Sequence, residues 1–355
     1  MKITPFKTTL LCGLLIATTS CSREDTLPPE IPPSEGTQLT LQGGEGGANA
    51  VNAVYVDLST DTQVPVARNA WNLGFHAGNE FRVIVNNQMS AGALATTFTD
   101  LQAVSSANVD INQFVTDQSA PNPAHFELFD DTIGRITYTA IAEISTNPTE
   151  NQVYVINPQV GTSVNADNLW KVRVQRSGNA GYTMQYAPLN SNDIQTATIN
   201  KDAAYNFQFF SFTQGPVQIE PVRAQWDFVW SASSYYTNFR GVMVPYSFSD
   251  IIFINHLAGA QAAEVIVGQN NFNIAYTDFN ESHLNQVQLI NHRNVIGSTW
   301  RATTGNPIGA FNNRYYILRD SANNIYKIRF NGMGSGNDGA DRGYPQLEYQ
   351  LVRRG

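Results

Sequence analysis

Histidine and methionine side chains are the groups in this sequence best suited to ligand chemistry, because neutral imidazole and thioether both donate to metal centres. The chain has 355 residues and contains five of each. His256 lies in FINHLAGAQ and His292 in LINHRNVIG, each after a predicted strand, where a loop would project the ring. His283 lies between them in the polar stretch NESHLNQ. Two of these three rings could converge on one ligand.

Other histidines and one methionine lie in less specific surroundings. Met89 lies in NNQMSAGALA, in a loop of the first half that resembles the loop of His256. His76 ends the alternating run WNLGFH, which predicts a solvated position on the polar face of a strand. His125, in PNPAHFE, is predicted to lie in a loop. For any single histidine, a hydrogen-bonded position at the surface or at a sheet edge is the simpler interpretation, so both interpretations stay open.

Motifs for catalysis are missing from the sequence. It contains no HExxH, CxxC, GxSxG or Walker loop. Asp130 and Asp131 are adjacent, but nothing places two carboxylates across a cleft as glycoside hydrolysis requires. The segment GSGNDGADRG, residues 334–343, could hold calcium, but it lacks the spaced ligands and closing Glu of a known site. We interpret it as a hairpin loop and predict that the protein is not an enzyme.

One phrase occurs twice in the chain. QVPVARNAWNLGF and QIEPVRAQWDFVW each place an Arg three residues before a Trp, and Arg68 and Trp71 lie 155 residues before Arg223 and Trp226. NQVYVI, WKVRV and GYTMQY are followed in the same order by NRYYIL, YKIRF and GYPQLEY. These matches predict a duplicated module. We expect the repeated Trp to be a buried aromatic residue and the repeated Arg to pack beneath it.

The periodicity within each half predicts strands. VYVDLST, FRVIV, LWKVRV and YTMQYA alternate apolar and polar residues and are rich in Val, Ile, Tyr and Phe. Clusters of Gly, Asn, Asp and Pro separate them. The predicted fold is therefore all-β, with two tandem homologous antiparallel modules at residues 51–190 and 204–355. LAGAQAAEVIV, residues 257–267, is the best candidate for a single short helix.

The N-terminus predicts export and lipid anchoring. Lys2 and Lys7 precede the short apolar run TLLCGLLIA, which is typical of a cleaved signal peptide over residues 1–20. Small residues then lead to Cys21, as in a lipobox, so we predict lipidation there. The Pro- and Gly-rich residues 21–50 predict a disordered tether. SRED, directly after Cys21, resembles the acidic export signals of surface lipoproteins in Bacteroidota, which predicts the outer face of the outer membrane.

Charge narrows the range of partners. Only 14% of residues are charged, and the formal net charge is −8. An acidic chain is a poor partner for nucleic acid or for anionic lipid, so contact with the membrane is predicted through the lipid anchor alone.

Several of these phrases together carry a family resemblance. The chain resembles the HmuY-like haem-binding lipoproteins of Bacteroidota in five phrases that follow the tether from the predicted lipidated Cys. They are VYVDLSTDTQVPVARNAWNLGF, FRVIVNN, IGSTWR, YYILRDSANNIYKIRFNGM and RGYPQLEYQLV. The resemblance covers about residues 50–355. It implies an all-β surface lipoprotein that captures haem and passes it to a TonB-dependent outer-membrane receptor. This chain is longer than the compact relatives, and no motif marks its ligands.

The resemblance also implies axial ligation of haem by His or Met. We assign His256 and His292 as the axial pair, with His283 and Met89 as alternative donors. The competing hypothesis is a binding or adhesion lipoprotein that recognises a glycan or a protein partner through some of its 15 Tyr, 19 Phe and 5 Trp. An exposed aromatic platform would favour glycan, and a walled apolar cleft would favour haem.

Overall fold

Short antiparallel strands make up most of the regular structure, which confirms the all-β prediction. The computed structural model describes Met1 and residues 32–270 and 272–355. Cys21, the predicted signal peptide beyond Met1 and the first part of the tether lie outside the described residues. The described strands are β1 (Gln38–Thr40), β2 (Asn52–Asp57), β3 (Thr62–Ala67), β4 (Leu73–His76), β5 (Val83–Val85), β6 (Gly92–Ala95), β7 (Tyr154–Asn157), β8 (Trp170–Ser177), β9 (Gly181–Pro188), β10 (Gln195–Asn200), β11 (Phe207–Ser211), β12 (Gly215–Val217), β13 (Phe228–Phe239), β14 (Val242–Ile254), β15 (Gln261–Ile266), β16 (Arg301–Ala302), β17 (Gly309–Ala310), β18 (Arg314–Arg319), β19 (Ile325–Gly332) and β20 (Gln346–Arg353).

The helices in the described part of the chain are short 3-10 turns. They are Gly47–Asn49, Asn87–Met89, Leu101–Ala103, Ile111–Phe114, Pro123–Leu128, Pro148–Glu150, Ala166–Asn168, His256–Ala258 and Glu281–Gln286. The helix expected at residues 257–267 is wrong, because most of this segment is strand β15. All six residues of β15 pair with β18, and this pairing overrides the helical propensity of its alanines.

Two five-stranded sheets have equivalent strand orders. One has the order β10-β9-β8-β7-β6 and the other β1-β20-β19-β18-β15. The repeated sequence phrases occupy matching places, since WKVRV lies in β8 and YKIRF in β19. Each sheet is built almost entirely from one half of the chain.

Two four-stranded sheets, in contrast, combine strands from both halves. Their orders are β12-β11-β4-β5 and β14-β13-β2-β3. Strand β2 pairs with β13, and β11 pairs with β4, so each half contributes a hairpin to the sheet of the other half. Residues 33–355 form one compact unit. The division into modules at residues 51–190 and 204–355 stays a prediction.

The two repeated tryptophans lie in one apolar cluster between these mixed sheets. Trp71 and Trp226 are buried there with Tyr55, Phe209 and Phe253. Trp71 does not share a cluster with Leu73 and Phe75, although the three residues alternate in WNLGF. Leu73 and Phe75 belong to a different cluster, because β4 begins only at Leu73 and the chain before it is a turn.

Candidate functional site

An open cleft of about 550 Å³ borders strand β15. On its outer edge β15 bonds to residues 286–295 only at Ala262, whose N–H and carbonyl pair with Ile290 at 3.0 and 2.8 Å. Beyond Ala262 this edge has no strand partner among the described residues. The chain therefore separates from the sheet edge and leaves a cleft. Its apolar lining consists of Ala263, Val265, Ile266, Phe272, Val287, Ile290 and Val295.

His292 lies at this cleft with an exposed imidazole ring. Within residues 32–270 and 272–355, its ring makes no hydrogen bond, so a nitrogen lone pair is available to a ligand. Ile290, two residues earlier, is 41% exposed and adds apolar surface to the cleft. Glu264 also lines the cleft, and Arg314 neutralises its charge at 3.0 Å. The rest of the lining is polar: Glu264, Gln269, Asn270, Gln286, Gln288, His292 and Asn294. The cleft thus combines apolar and polar walls, one unbonded imidazole and a carboxylate that an arginine compensates.

His256 lies in a different environment from His292. It begins the 3-10 helix His256–Ala258 and lines a cavity of about 100 Å³ between the mixed sheets. Its Nε2 lies 2.9 Å from the carbonyl oxygen of Gly134, which can only accept, so Nε2–H donates. Burial lowers the pKa of His256 to about 4, and the positive charge of Arg293 acts in the same direction. His256 and His292 line different cavities, and their joint ligation of haem stays a prediction.

The alternative donors lie away from the open cleft. The Nδ1 atom of His283 accepts the backbone N–H of Asn280 at 3.1 Å, so this ring caps the helix Glu281–Gln286. Met89 ends the 3-10 helix Asn87–Met89 and is half-buried. Neither residue lines the cleft.

A structural equivalence shows that Met89 is not the counterpart of His256. Asn86 and Asn255 are the N-caps of matching 3-10 helices. Counting from these caps, the residue that corresponds to His256 is Asn87, and the residue that corresponds to Met89 is Ala258. The two halves therefore offer different donors at this turn.

His76 and His125 also depart from the expected simple surface positions. The prediction that His76 is solvated is wrong, because its ring is buried beside Phe207, with centroids 5.5 Å apart. β11 pairs with β4 and covers this ring, and burial lowers the pKa of His76. His125 lies in the helix Pro123–Leu128 and, with Phe129 and Tyr246, lines a third cavity of about 360 Å³.

The acidic residues considered for chemistry have structural roles. Asp130 accepts the backbone N–H groups of Val85 and Ala140 at 2.8 and 2.9 Å, and burial raises its pKa to about 7. Asp338, in the loop of residues 334–343, accepts four backbone N–H groups, from Ala310, Met333, Gly334 and Ala340. These four hydrogen bonds occupy the Asp338 carboxylate, so backbone N–H groups hold the loop in place.

The sequence of the chain matches one known protein family. The family model described as HmuY protein matches residues 49–349, which is most of the chain. The chain belongs to the HmuY family. No curated protein and no solved structure matches it. Membership of the HmuY family supports a haem-binding, non-enzymatic type of function in general.

Two further observations concern the part of the chain that the structure describes. No helix there is long and apolar enough to cross a membrane. No group of three or more His, Cys, Asp or Glu residues is placed to hold a bare metal ion. Haem brings its own four equatorial donors and needs only one or two axial side chains. The imidazole of His292, which makes no hydrogen bond among the described residues, offers one such donor.

Proposed function

We propose that this HmuY-family protein binds haem in the cleft beside β15, with His292 as the axial donor. The observation that carries the proposal is the exposed imidazole of His292 at an open cleft of about 550 Å³ that has apolar side chains along β15 and along residues 287–295. Sites for small ligands and cofactors typically measure about 300–1,000 Å³ and combine apolar walls with few polar groups. The cleft meets the size criterion, and its apolar side chains give one hydrophobic wall beside a polar one.

Each lining group has a distinct task in this proposal. His292 would present an imidazole nitrogen to the iron centre that haem supplies when bound. Val265, Phe272 and Ile290 remove apolar ligand surface from water, which contributes about 25 cal/mol per Å² buried. The cleft opens to solvent, so carboxylate groups on the ligand stay hydrated. The ion pair of Glu264 and Arg314 keeps an uncompensated negative charge away from them.

The surface of the protein supports a cleft rather than an exposed aromatic platform. Among the described residues, Tyr138, at 61%, is the one aromatic residue among the large exposed hydrophobic side chains. A single ring does not make a platform for a glycan chain. This distribution favours haem over the competing hypothesis of glycan recognition on the outer face.

Anchoring and delivery complete the proposal. A lipid on Cys21 would hold the protein at the outer membrane, facing outward, and the Pro-rich segment after it would give the cleft freedom to meet a partner. We propose that this partner is a TonB-dependent receptor that accepts haem from the open cleft. The family membership and the sequence of residues 1–50 support this part of the proposal.

A haemin titration of the protein that comprises residues 22–355 tests the site. We expect a saturable Soret shift with sharp bands after reduction in the wild type. His292→Ala should weaken binding at least tenfold and remove the sharp reduced bands. His283→Ala, which removes a half-buried ring that caps a helix and does not line the cleft, is the control and should bind as the wild type does.

Two outcomes would contradict the proposal. Haemin that binds no better to the wild type than to an unrelated β protein would exclude haem as the ligand. Unchanged bands in His292→Ala would exclude this donor. In that case His256→Ala and the double variant of His256 and His292 would show whether the buried ring ligates instead.

A further inference from the structure

A second cavity, of about 100 Å³, lies where the two mixed sheets meet. It is separate from the cleft of His292, and no residue lines both. Gln88 and Leu257 in its lining are half-buried, so the cavity reaches the protein surface. Six aromatic residues form much of its wall: Tyr55, Trp71, Phe207, Phe209, Trp226 and Phe253.

Glu220 brings a carboxylate to this aromatic wall. Its side chain lines the cavity, and the residue is only 3% exposed. The backbone N–H groups of Asn206 and Phe207 donate to Glu220 Oε1 at 2.6 and 2.7 Å. The amide of Asn206 also lies near the carboxylate, but its Nδ2 donates to Asn255 Oδ1 at 2.9 Å. Because both backbone bonds end on Oε1, the other oxygen, Oε2, is left for a ligand in the cavity.

The charge of Glu220 has no partner of opposite sign. Among the described residues, no Lys or Arg forms an ion pair with it. The arginine whose charge acts on it is Arg223, which donates instead to the carbonyl of Leu257 at 2.6 Å. Burial therefore raises the pKa of Glu220 to about 8. Carboxylates in protein interiors are normally paired, because an isolated buried charge is unfavourable. The cavity thus presents an anionic group that a cation from outside would compensate.

The sequence repeat shows that this carboxylate belongs to one half of the chain. Arg68 and Arg223 occupy matching positions, and counting three residues back from each gives Pro65 and Glu220. Pro65 lies exposed in β3 and carries no charge. The repeated turn therefore forms in the first half without an acid at this position, so the turn itself does not require Glu220.

The other ionisable groups of the lining do not compensate Glu220. The guanidinium of Arg293 is balanced by the charge of Asp130 and lies 4.3 Å from the centre of the Phe253 ring. His256 is neutral near pH 7, because burial lowers its pKa to about 4. Glu220 is therefore the lining charge that lacks a counter-ion.

These features together select the class of ligand. An anion would be repelled by Glu220, and a neutral apolar molecule would leave its charge uncompensated. Calcium and magnesium need several oxygen ligands, which one carboxylate among aromatic rings does not supply. An organic ammonium fits, because aromatic rings attract cations and pack against methylene groups. A primary ammonium has three N–H donors, and Glu220 and Gln88, which both lie close to Tyr55, offer acceptors.

Size limits how much of the ligand enters. A space of about 100 Å³ holds about three water-sized groups, which matches an ammonium group and the two methylene groups next to it. We propose that this cavity binds the primary ammonium end of an alkylamine, with Glu220 as its counter-ion and Trp71, Phe209 and Trp226 around its methylene groups. The amine is either a small free molecule or the side chain of a lysine in a peptide. The proposal does not depend on haem binding.

Isothermal titration of the protein that comprises residues 22–355 tests the site at pH 7. The probes are butylammonium and Nα-acetyl-lysine amide, and we expect saturable binding of at least the first. Glu220 is protonated at this pH and must ionise to pair, so binding should release about one proton. Titrations in two buffers of different ionisation enthalpy measure this proton. The other lining groups keep their state at pH 7, since Tyr55 and His256 are neutral and Arg293 is charged.

Variants of the lining locate the bound amine. Glu220→Gln keeps the oxygen that accepts the two backbone N–H groups and removes the charge. It should weaken butylammonium binding at least tenfold and abolish the proton release. Glu127→Gln, at an exposed position, is the matched control and should bind as the wild type does. Ala232→Leu places a larger side chain in the wall and should also weaken binding, although Glu220 is retained. His292→Ala should leave amine binding unchanged.

The two probes distinguish the two sources of the amine. Nα-acetyl-lysine amide that binds as tightly as butylammonium would identify the lysine side chain of a peptide, and butylammonium binding alone would identify a small free amine. Three results would each overturn the inference. The first is that neither probe shows saturable binding. The second is that Glu220→Gln binds butylammonium as tightly as the wild type. The third is that binding at pH 7 releases no proton.

Discussion

The side-chain amide of Asn255 donates a hydrogen bond of 2.9 Å to the backbone carbonyl of Trp226. Its Nδ2 also donates to the carbonyl of Arg223 at 2.8 Å. In the other half, Asn86 makes the same two bonds, to Trp71 at 2.7 Å and to Arg68 at 2.8 Å. The repeated Arg and Trp thus belong to a turn that a buried Asn holds closed. The phrase recurs in the sequence because this local structure recurs.

Removing one of these asparagines should destabilise the whole unit. Asn255→Ala leaves the carbonyls of Arg223 and Trp226 without a donor and removes the acceptor of Asn206 Nδ2. We expect a loss of about 3 kcal/mol in the free energy of unfolding, measured in urea. Asn312→Ala, at an exposed turn, is the control and should change stability by less than about 0.5 kcal/mol. A similar loss in both variants would show that the turn is not held by Asn255.

The sequence predicts the fold class well and the strand partners poorly. Alternation in segments such as LWKVRV and YTMQYA identifies β8 and β9, which pair along their full length. Alternation does not specify which strand lies alongside, so the pairing of β2 with β13 across the two halves has no local signal. Strand β15 is missed because its Gln-Ala-Ala sequence has helical propensity, while its six pairs with β18 come from residues about 50 positions away.

The candidate site is predictable only in part. The sequence selects His292, which lies at the open cleft. It cannot show that His256 donates to Gly134, 122 residues earlier, or that β11 covers His76. The buried indole of Trp226 makes no hydrogen bond among the described residues, and the sequence gives only a weak signal of this: Leu257 stands in its loop where Gln88 stands in the loop of Trp71. That signal becomes clear only when the matching N-caps Asn86 and Asn255 align the two loops.

The pH dependence of stability should report the burial of His256. Its pKa is lowered in the folded protein to about 4, from 6.5. The stability that this lowered pKa contributes is fully present above pH 6.5, where the imidazole is neutral in both the folded and the unfolded chain. As pH falls from 6.5 towards 4, only the unfolded chain takes up the proton, so the free energy of unfolding decreases. Between pH 7.5 and 5 the free energy of unfolding of the wild type should fall by about 2 kcal/mol more than that of His256→Asn. This variant introduces the residue type that Asn87 has at the matching position of the first half.

Urea unfolding at both pH values checks this expectation for His256. Exposed His292→Asn serves as the control and should follow the wild type. An equal pH response in the wild type and His256→Asn would mean that the imidazole of His256 is hydrated in the folded state.

The carboxyl group of Glu220 should give the opposite pH response. Burial raises its pKa to about 8, although the backbone N–H groups of Phe207 and Asn206 donate to its Oε1 at 2.7 and 2.6 Å. A raised carboxyl pKa contributes stability below pH 4.5, which is lost as pH rises towards 8. Glu220→Gln keeps the accepting oxygen without a charge. Glu220→Gln should therefore have a higher free energy of unfolding than the wild type at pH 8. The difference between the two proteins should be about 3 kcal/mol smaller at pH 5.

Chemical unfolding at pH 5 and pH 8 measures this difference for Glu220. Glu127→Gln is the control, because Glu127 is exposed and its substitution should have the same small effect at both pH values. If Glu220→Gln gains no stability over the wild type as pH rises, the Glu220 carboxyl ionises normally in the fold.

A buried lysine should connect stability with the cleft of His292. Lys327 in β19 is buried, and its Nζ donates to the carbonyls of Tyr276 and Phe279 at 2.8 and 2.9 Å, which holds the loop that leads to the cleft. Lys327→Met leaves both carbonyls unpaired and should cost about 2–4 kcal/mol in urea unfolding. It should also weaken haemin binding several-fold, because Phe272 and Val287 of the same loop region line the cleft.

Lys171→Met, at the equivalent position in β8, frees only the carbonyl of Val104, so it should cost less and leave haemin binding unchanged. Equal haemin affinity in both variants would show that this loop does not shape the cleft.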